Sequence, residues 1–180
     1  LLVLIVLIYF LFPGLVISTA NSFARFSAGM ERKEVLAADF NWVYYEGGSG
    51  ETVVLLHGVG LSKDMWGEML PGLSESFHLI VPDLPGFGET DFDENKTYSI
   101  REQAERFEEF VKALKLDSFH LVGLSLGGGI SGLYSSMYPE RIRTLTLMGS
   151  YGVKPEAESD FLKVYARGEN PLFFKTSAEY

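Results

Sequence analysis

The stretch HLVGLSLGGGIS, residues 120–131, decides how this chain is read. A serine stands between an apolar run and a cluster of glycines. Either Ser125 is a nucleophile carried on a tight turn, or the stretch is a small-residue packing seam that contains a serine. A G-x-S-x-G match also arises by chance, so the flanking pattern has to decide. Upstream, FHLVG at 119–123 has the apolar character of a buried strand. Downstream, the small-residue run from Leu126 to Tyr138 reads as a helix stopped by Pro139. Strand, turn and helix is the setting that exposes such a serine at the top of a sheet. A sharp turn forces the serine into a strained backbone conformation, and Gly123 and Gly127 remove side chains that would clash. The N–H of Leu126 then lies at a helix N-terminus, where negative charge is favoured and an oxyanion could bind. Gly128 and Gly129 fit a structural role, letting the helix lie close on the sheet.

Working outward, TVVLLHG at 52–58 is a continuous apolar run ending in His-Gly, as expected of a strand buried on both faces. In the following HGVG, residues 57–60, Gly58 and Gly60 free the loop to turn a backbone N–H, that of Val59, toward the same pocket. His57 is read as support for this loop rather than as a general base. His78 and His120 open strands and are read as structural or exposed. In VPDLPGFGETD, 81–91, Asp83, Pro85, Gly86 and Gly88 form a rigid turn after the strand HLIVPD, with Glu89 and Asp91 at a solvated loop tip.

The remaining chain alternates in type. VLAADFNWVYYEGG, from residue 34, predicts two short strands, and residues 63–73 look helical. SIREQAERFEEFVKALKL opens with the capping box Ser99-x-x-Glu102 and carries Ala104, Phe107, Phe110, Val111 and Leu114 on one face. RTLTLMG, 143–149, is a further strand, and the pattern turns helical again from Pro155. Alternating strands and helices predict an α/β fold, a doubly wound, mostly parallel sheet covered on both faces. Composition agrees with one domain: 180 residues, 47% hydrophobic. The chain has no cysteine, which excludes disulfides and thiolate metal sites, and no metal or cofactor is expected. The net charge of -9 falls on residues 41–180, because Arg25, Arg32 and Lys33 balance Glu31, Glu34 and Asp39 before them. Such an acidic body repels phosphate backbones and argues against nucleic acid as a partner.

LLVLIVLIYFLFPGLVI, residues 1–17, carries no charged side chain. A helix of this length extends roughly 25 Å, close to the ~30 Å hydrocarbon core of a bilayer. Two readings compete. In one, Pro13-Gly14 breaks the helix and Ser18-Thr19-Ala20 is the cleavage site of an exported protein. In the other, favoured here, residues 1–19 are an uncleaved single-pass transmembrane anchor whose helix runs on through Pro13. Residues 20–33 would then be an amphipathic juxtamembrane linker, with Phe23, Phe26 and Met30 on one face and Arg25, Arg32 and Lys33 available to headgroups. The core would span 34–154 and a helical cap would begin at 155–180.

LLHGVGLSKDMW, DLPGFGETD and HLVGLSLGGGIS, in this order, resemble the α/β-hydrolase fold family over roughly residues 34–180. With GENPLFFKTSAEY at 168–180, they are similar to membrane-anchored or exported bacterial lipases and esterases and to the monoacylglycerol-lipase-like branch. The resemblance implies that Ser125 is the nucleophile and that Val59 and Leu126 supply oxyanion N–H groups. His57, Gly58, Gly60, Gly123 and Gly127 would support them. It implies hydrolysis of carboxylic esters through an acyl-enzyme, and the apolar N-terminal segment beside such a hydrolase suggests a lipid ester as substrate and the membrane as partner. Dehalogenase and epoxide-hydrolase activities are disfavoured, because the members they resemble carry Asp at the elbow. Serine-dependent hydrolysis of carbon–carbon bonds and a non-catalytic, membrane-tethered binding module are the alternatives. The family's triad runs Ser, Asp or Glu, then His, and no histidine follows Ser125. The fold is therefore expected to be C-terminally incomplete, with the acid and histidine beyond residue 180 and this chain inactive alone. Asp160 lies where a cap residue would sit and is a remote candidate for the acid.

Overall fold

The computed structural model describes residues 11–153 together with residues 163 and 167. Residues 1–10 of the expected anchor, and the expected cap with Asp160, lie outside the described residues but for those two.

Among the described residues, six strands form one sheet in the order β1-β2-β4-β3-β5-β6. They are β1 (Glu31–Ala37), β2 (Phe40–Gly48), β3 (Glu51–Leu56), β4 (Phe77–Pro82), β5 (Phe119–Leu124) and β6 (Ile142–Met148). β1 and β2 form a hairpin, and β2 lies antiparallel on β4. The pairs β4–β3, β3–β5 and β5–β6 are parallel. The sheet is thus mostly parallel. β3 has β4 on one side and β5 on the other, so the connections reverse direction there. The carboxyl ends of strands at such a reversal open a crevice where α/β sheets bind ligands.

The apolar runs of β3 and β4 are continuous because both faces of the sheet are covered. On one face, Trp42, Tyr44, Val54, Leu56, Ile80 and Leu121 pack under α3 (Ile100–Ala113) and α4 (Leu126–Met137). Trp42 stacks on Phe110 with ring centroids 4.6 Å apart. On the other face, Tyr45, Val53, Leu55, Leu79 and Val81 meet Ala28, Met30, Trp66 and Leu70. These come from the residues just past α1 (Pro13–Ser27), a 3-10 turn (Lys63–Trp66) and α2 (Leu70–Ser74). α3 starts with the full reciprocal capping box of Ser99 and Glu102 that its sequence predicts.

Four expectations are corrected. The sheet begins at Glu31 rather than 34, taking the end of the expected linker into β1. Residues 63–73 are not one helix, because Pro71 cannot continue a helix from upstream and instead sits in the first turn of α2. For the same reason the helix does not run on through Pro13. Phe12 has non-helical backbone (φ -135, ψ 57), and α1 starts afresh with Pro13 in its first turn. Finally, Met30 does not share the face of Phe23 and Phe26. Gly29 takes φ +62 and ends α1, its N–H donating to Phe26 C=O while Met30 N–H donates to Arg25 C=O, each at 3.0 Å. This cap turns Met30 into the core, whereas Phe23 and Phe26 stay exposed. Arg32 and Lys33 are engaged in ion pairs with Glu34 and Glu89, and with Glu46 and Glu31. No helix of the described residues is long and apolar enough to cross a membrane.

The two outer strands of the described sheet differ. β1 begins Glu-Arg-Lys-Glu, whereas β6 exposes Leu145, Leu147 and Met148.

Candidate active site

The ends of β3 and β5 lie side by side, with Leu56 opposite Gly123. Each strand runs directly into a motif read from the sequence. After Leu124 the chain reverses at Ser125, whose backbone has φ 50 and ψ -111. This is outside even the left-handed helical well, whose ψ is positive. Three hydrogen bonds hold it. Ser125 N–H donates to Met148 C=O at 2.9 Å, and its own C=O accepts from Gly129 N–H at 3.0 Å and from Tyr151 N–H at 2.9 Å. Such a conformation costs on the order of 1–3 kcal/mol and persists only where its surroundings impose it.

The glycines make the turn possible. A Cβ on Gly123 would lie 2.4 Å from Gly127 O, and one on Gly127 would lie 2.5 Å from the carbonyl oxygens of Leu56 and His57. Gly127 N–H also donates to His57 C=O at 3.1 Å, tying the start of α4 to the end of β3. Gly128 and Gly129 correct their expected role in part. Their clearance is chiefly against Ser150 and Tyr151, in the segment after β6, rather than against the sheet.

The HGVG loop lies alongside. A Cβ on Gly58 would be in ordinary contact, 3.4 Å, with Cβ of Ser125. Gly60 turns at φ +69. Among the described residues, nothing accepts from the N–H of Val59 or of Leu126, so both donors are free at this end of the sheet. The geometry thus brings together Ser125, the HGVG loop and the first turn of α4.

His57 is fully buried, and both its nitrogens are used. Nε2 lies 3.0 Å from the Leu84 N–H, and Nδ1 lies 2.8 Å from Gly58 O. A backbone N–H only donates, so Nε2 must accept and Nδ1 must carry the proton, giving a neutral imidazole. Burial pushes its pKa below the ordinary histidine value. His57 is therefore a brace and not a base. His78 bonds Thr52 and Glu46, and His120 bonds Thr144 and Glu51, away from Ser125 at the other end of their strands.

Sequence reasoning missed one cluster. Lys63 and Asp83 are both buried and form an ion pair, Nζ to Oδ2 2.7 Å, and Nζ reaches Glu89 Oε1 at 2.6 Å. Glu89 is thus not simply solvated at a loop tip. It also pairs with Arg32, and Asp91 accepts from Asn41 N–H. No periodic pattern marks Lys63, and only contact across the fold shows its partner. A cavity of about 510 Å³ opens beside it, between Asn21 of α1, the loop of Gly60, Leu61 and Ser62, and Gly88. Among the described residues, no three His, Asp or Glu side chains converge on a metal position.

A mostly parallel α/β sheet with a strained serine at a strand-to-helix turn, beside a glycine loop from the neighbouring strand, defines the α/β-hydrolase class. Residues 51–179 match the family model for the alpha/beta hydrolase fold, and the chain belongs to that family. It is 33% identical over 183 residues to monoacylglycerol lipase abhd6-B of Xenopus laevis, covering 95% of this chain and 54% of that protein. It is 34% identical over 162 residues to lipase 1 of Psychrobacter immobilis, covering 88% of this chain and 51% of that one. Among solved structures, a membrane phospholipase A described as a bacterial virulence factor superposes with a TM-score of 0.85 at 34% identity, covering 98% of this chain and 57% of that one. The chain spans about half the length of the curated relatives it matches.

Proposed function

We propose that the whole protein is a serine hydrolase of carboxylic esters, acting on a lipid ester such as an acylglycerol. The observation that carries this reading is the backbone of Ser125, held at φ 50 and ψ -111 next to the N–H groups of Val59 and Leu126, which no described residue engages. The names of the relatives, lipases and monoacylglycerol lipases, support the substrate class. In this reading the Ser125 hydroxyl attacks the acyl carbon while a histidine takes its proton. The carbonyl oxygen gathers negative charge, which the N–H groups of Val59 and Leu126 stabilise. The alcohol leaves with the proton from the histidine, and water then releases the acid from the acyl-enzyme by the same steps. The histidine and its acid are assigned to residues beyond 180, because no histidine follows Ser125 in this sequence and His57 is committed to the fold.

The protein is also proposed to be membrane-anchored through residues 1–19. The apolar run and the exposed Phe23 and Phe26 on α1 support this.

The full-length protein should react with a fluorophosphonate at Ser125 and hydrolyse acylglycerols, and Ser125→Ala should do neither. Turnover that survives in the alanine variant places the nucleophile elsewhere. Labelling without ester turnover favours carbon–carbon hydrolysis, and no labelling at all favours a binding module. Membrane anchoring predicts that the protein stays in the pellet through alkaline carbonate. A soluble mature chain starting at Asn21 would overturn the anchor and leave the chemistry untouched.

A further inference from the structure

The loop that carries Val59 runs from His57 to Lys63. At its first residue, His57 Nε2 accepts from the N–H of Leu84 at 3.0 Å. At its last, the backbone N–H of Lys63 donates to Asp83 Oδ1 at 2.6 Å, and the Lys63 ammonium donates to Oδ2 at 2.7 Å. Both ends of the loop are thus fastened to two consecutive residues, 83 and 84, just past β4. The Asp83 carboxylate also accepts from Glu89 N–H at 2.8 Å, and the Glu89 carboxylate returns to the Lys63 ammonium at 2.6 Å. Gly88 allows this close wrap, since a Cβ there would lie 2.3 Å from Asp83 Cγ. The Tyr45 ring closes the ammonium from below, at 4.9 Å from its centroid.

Stability is a poor explanation for this cluster. Desolvating a lysine and an aspartate offsets most of their attraction, and apolar residues of similar size would hold a core at least as well. What the ion pair supplies instead is geometry. Three donors converge on one carboxylate and fix where the loop ends. An N–H that stabilises a developing oxyanion must be in place before the charge appears, and misplacing such a group by about 1 Å costs on the order of a hundredfold in rate.

We propose that Lys63, Asp83 and Glu89 are positioning residues, a latch that holds residues 57–63 so that Val59 N–H faces the oxyanion. The inference rests on the serine-hydrolase reading above. The latch touches no reacting atom, so it acts on kcat and leaves substrate binding nearly alone.

The test uses the full-length protein, with Ser125→Ala as the zero-rate control. Lys63→Met alone strands a buried carboxylate and can fail to fold. The informative variant is the double Lys63→Met, Asp83→Asn, which removes both charges together. It should remain folded by circular dichroism. Well below its unfolding temperature, its kcat should fall about ten- to a hundredfold with KM within about threefold. Its affinity for a trifluoromethyl ketone, which forms a tetrahedral oxyanion on the serine, should fall in parallel with kcat. A folded double variant with kcat within twofold of wild type overturns the latch while leaving the hydrolase reading intact. Should the double variant not fold, Glu89→Ala removes only the outer arm and should lower kcat about two- to threefold. An unchanged kcat there also overturns the latch. A wild type no faster than Ser125→Ala overturns the parent reading and the latch with it.

Discussion

Among the described residues, non-glycine positive φ occurs at the β1–β2 hairpin, at Lys115 just after α3 and at Ser125, and the first and last of these turns adopt it for different reasons. The β1–β2 hairpin turns through Ala38 and Asp39, at φ 50 and 63. Ala37 and Phe40 pair directly across it, so the loop has two residues. Two central residues at positive φ match the twist of a hairpin, and the tip needs no clearance. The turn at Ser125 has the same φ as Ala38 but lies among backbone atoms, where three hydrogen bonds and two obligatory glycines enforce it. Positive φ is therefore not itself a sign of function. Strain held in place by neighbours with no room to spare is the informative feature.

The sharpest way to break this contrast is Ser125→Gly in the full-length protein. Activity should fall about 10⁴-fold or more, because the nucleophile is gone. Stability should nevertheless rise by roughly 1 kcal/mol, because glycine relieves the strain. Urea denaturation that shows no gain would mean that the elbow is no more strained than the hairpin.

The next effect lies in the glycines. Gly123→Ala and Gly127→Ala each drive a methyl group into backbone oxygens and should destabilise by about 3 kcal/mol. Gly60→Ala meets nothing within 4 Å and is opposed only by its φ of +69. It should cost about 1 kcal/mol. Equal losses at Gly60 and Gly127, measured by the same denaturation, would remove the distinction between enclosed and open turns.

The brace beside the elbow carries a pH dependence of its own. The folded pKa of His57 is depressed by burial, so the unfolded chain binds the proton first as pH falls. The contribution of His57 to stability is fully present above the ordinary histidine pKa of about 6.5 and declines as pH drops below it. His57→Gln should flatten the stability profile in that window. An unchanged slope would show that the proton is taken up elsewhere.

The smallest effect is expected at the hairpin. Ala38→Asn with Asp39→Gly installs the residues that tolerate both positive φ values and should stabilise by about 0.5–1 kcal/mol without altering turnover. A change in kcat for this variant would mean that the two turns are coupled.

The sequence exposed the elbow because its signals are local. Gly123, Ser125 and Gly127 sit between an apolar strand and a helix stopped by a proline, and each signal spans a few residues. The buried Lys63–Asp83 pair left no such trace. Its partners are 20 residues apart, and a lysine in a loop reads as solvated until the fold covers it. Met30 was misplaced for a subtler reason. Apolar spacing carried the helical period across Gly29, although that glycine is the residue that ends the helix. Arg32 and Lys33 likewise read as partners for headgroups, because the distant partners that engage them, Glu89 in the loop after β4 and Glu46 on β2, are brought near only by the fold.

The unequal edges of the sheet bear on how this chain behaves in the test tube. At β1 the charges of Glu31, Arg32, Lys33 and Glu34 discourage another chain from adding a strand. At β6, Leu145, Leu147 and Met148 are 36%, 40% and 38% exposed, along a strand whose one charged residue is Arg143. Among the described residues nothing pairs with its outer side. Such an edge is adhesive, and residues 1–180 expressed by themselves should aggregate through β6 before any assay begins. Lysines in place of Leu145 and Leu147 would act as gatekeepers and keep the fragment dispersed.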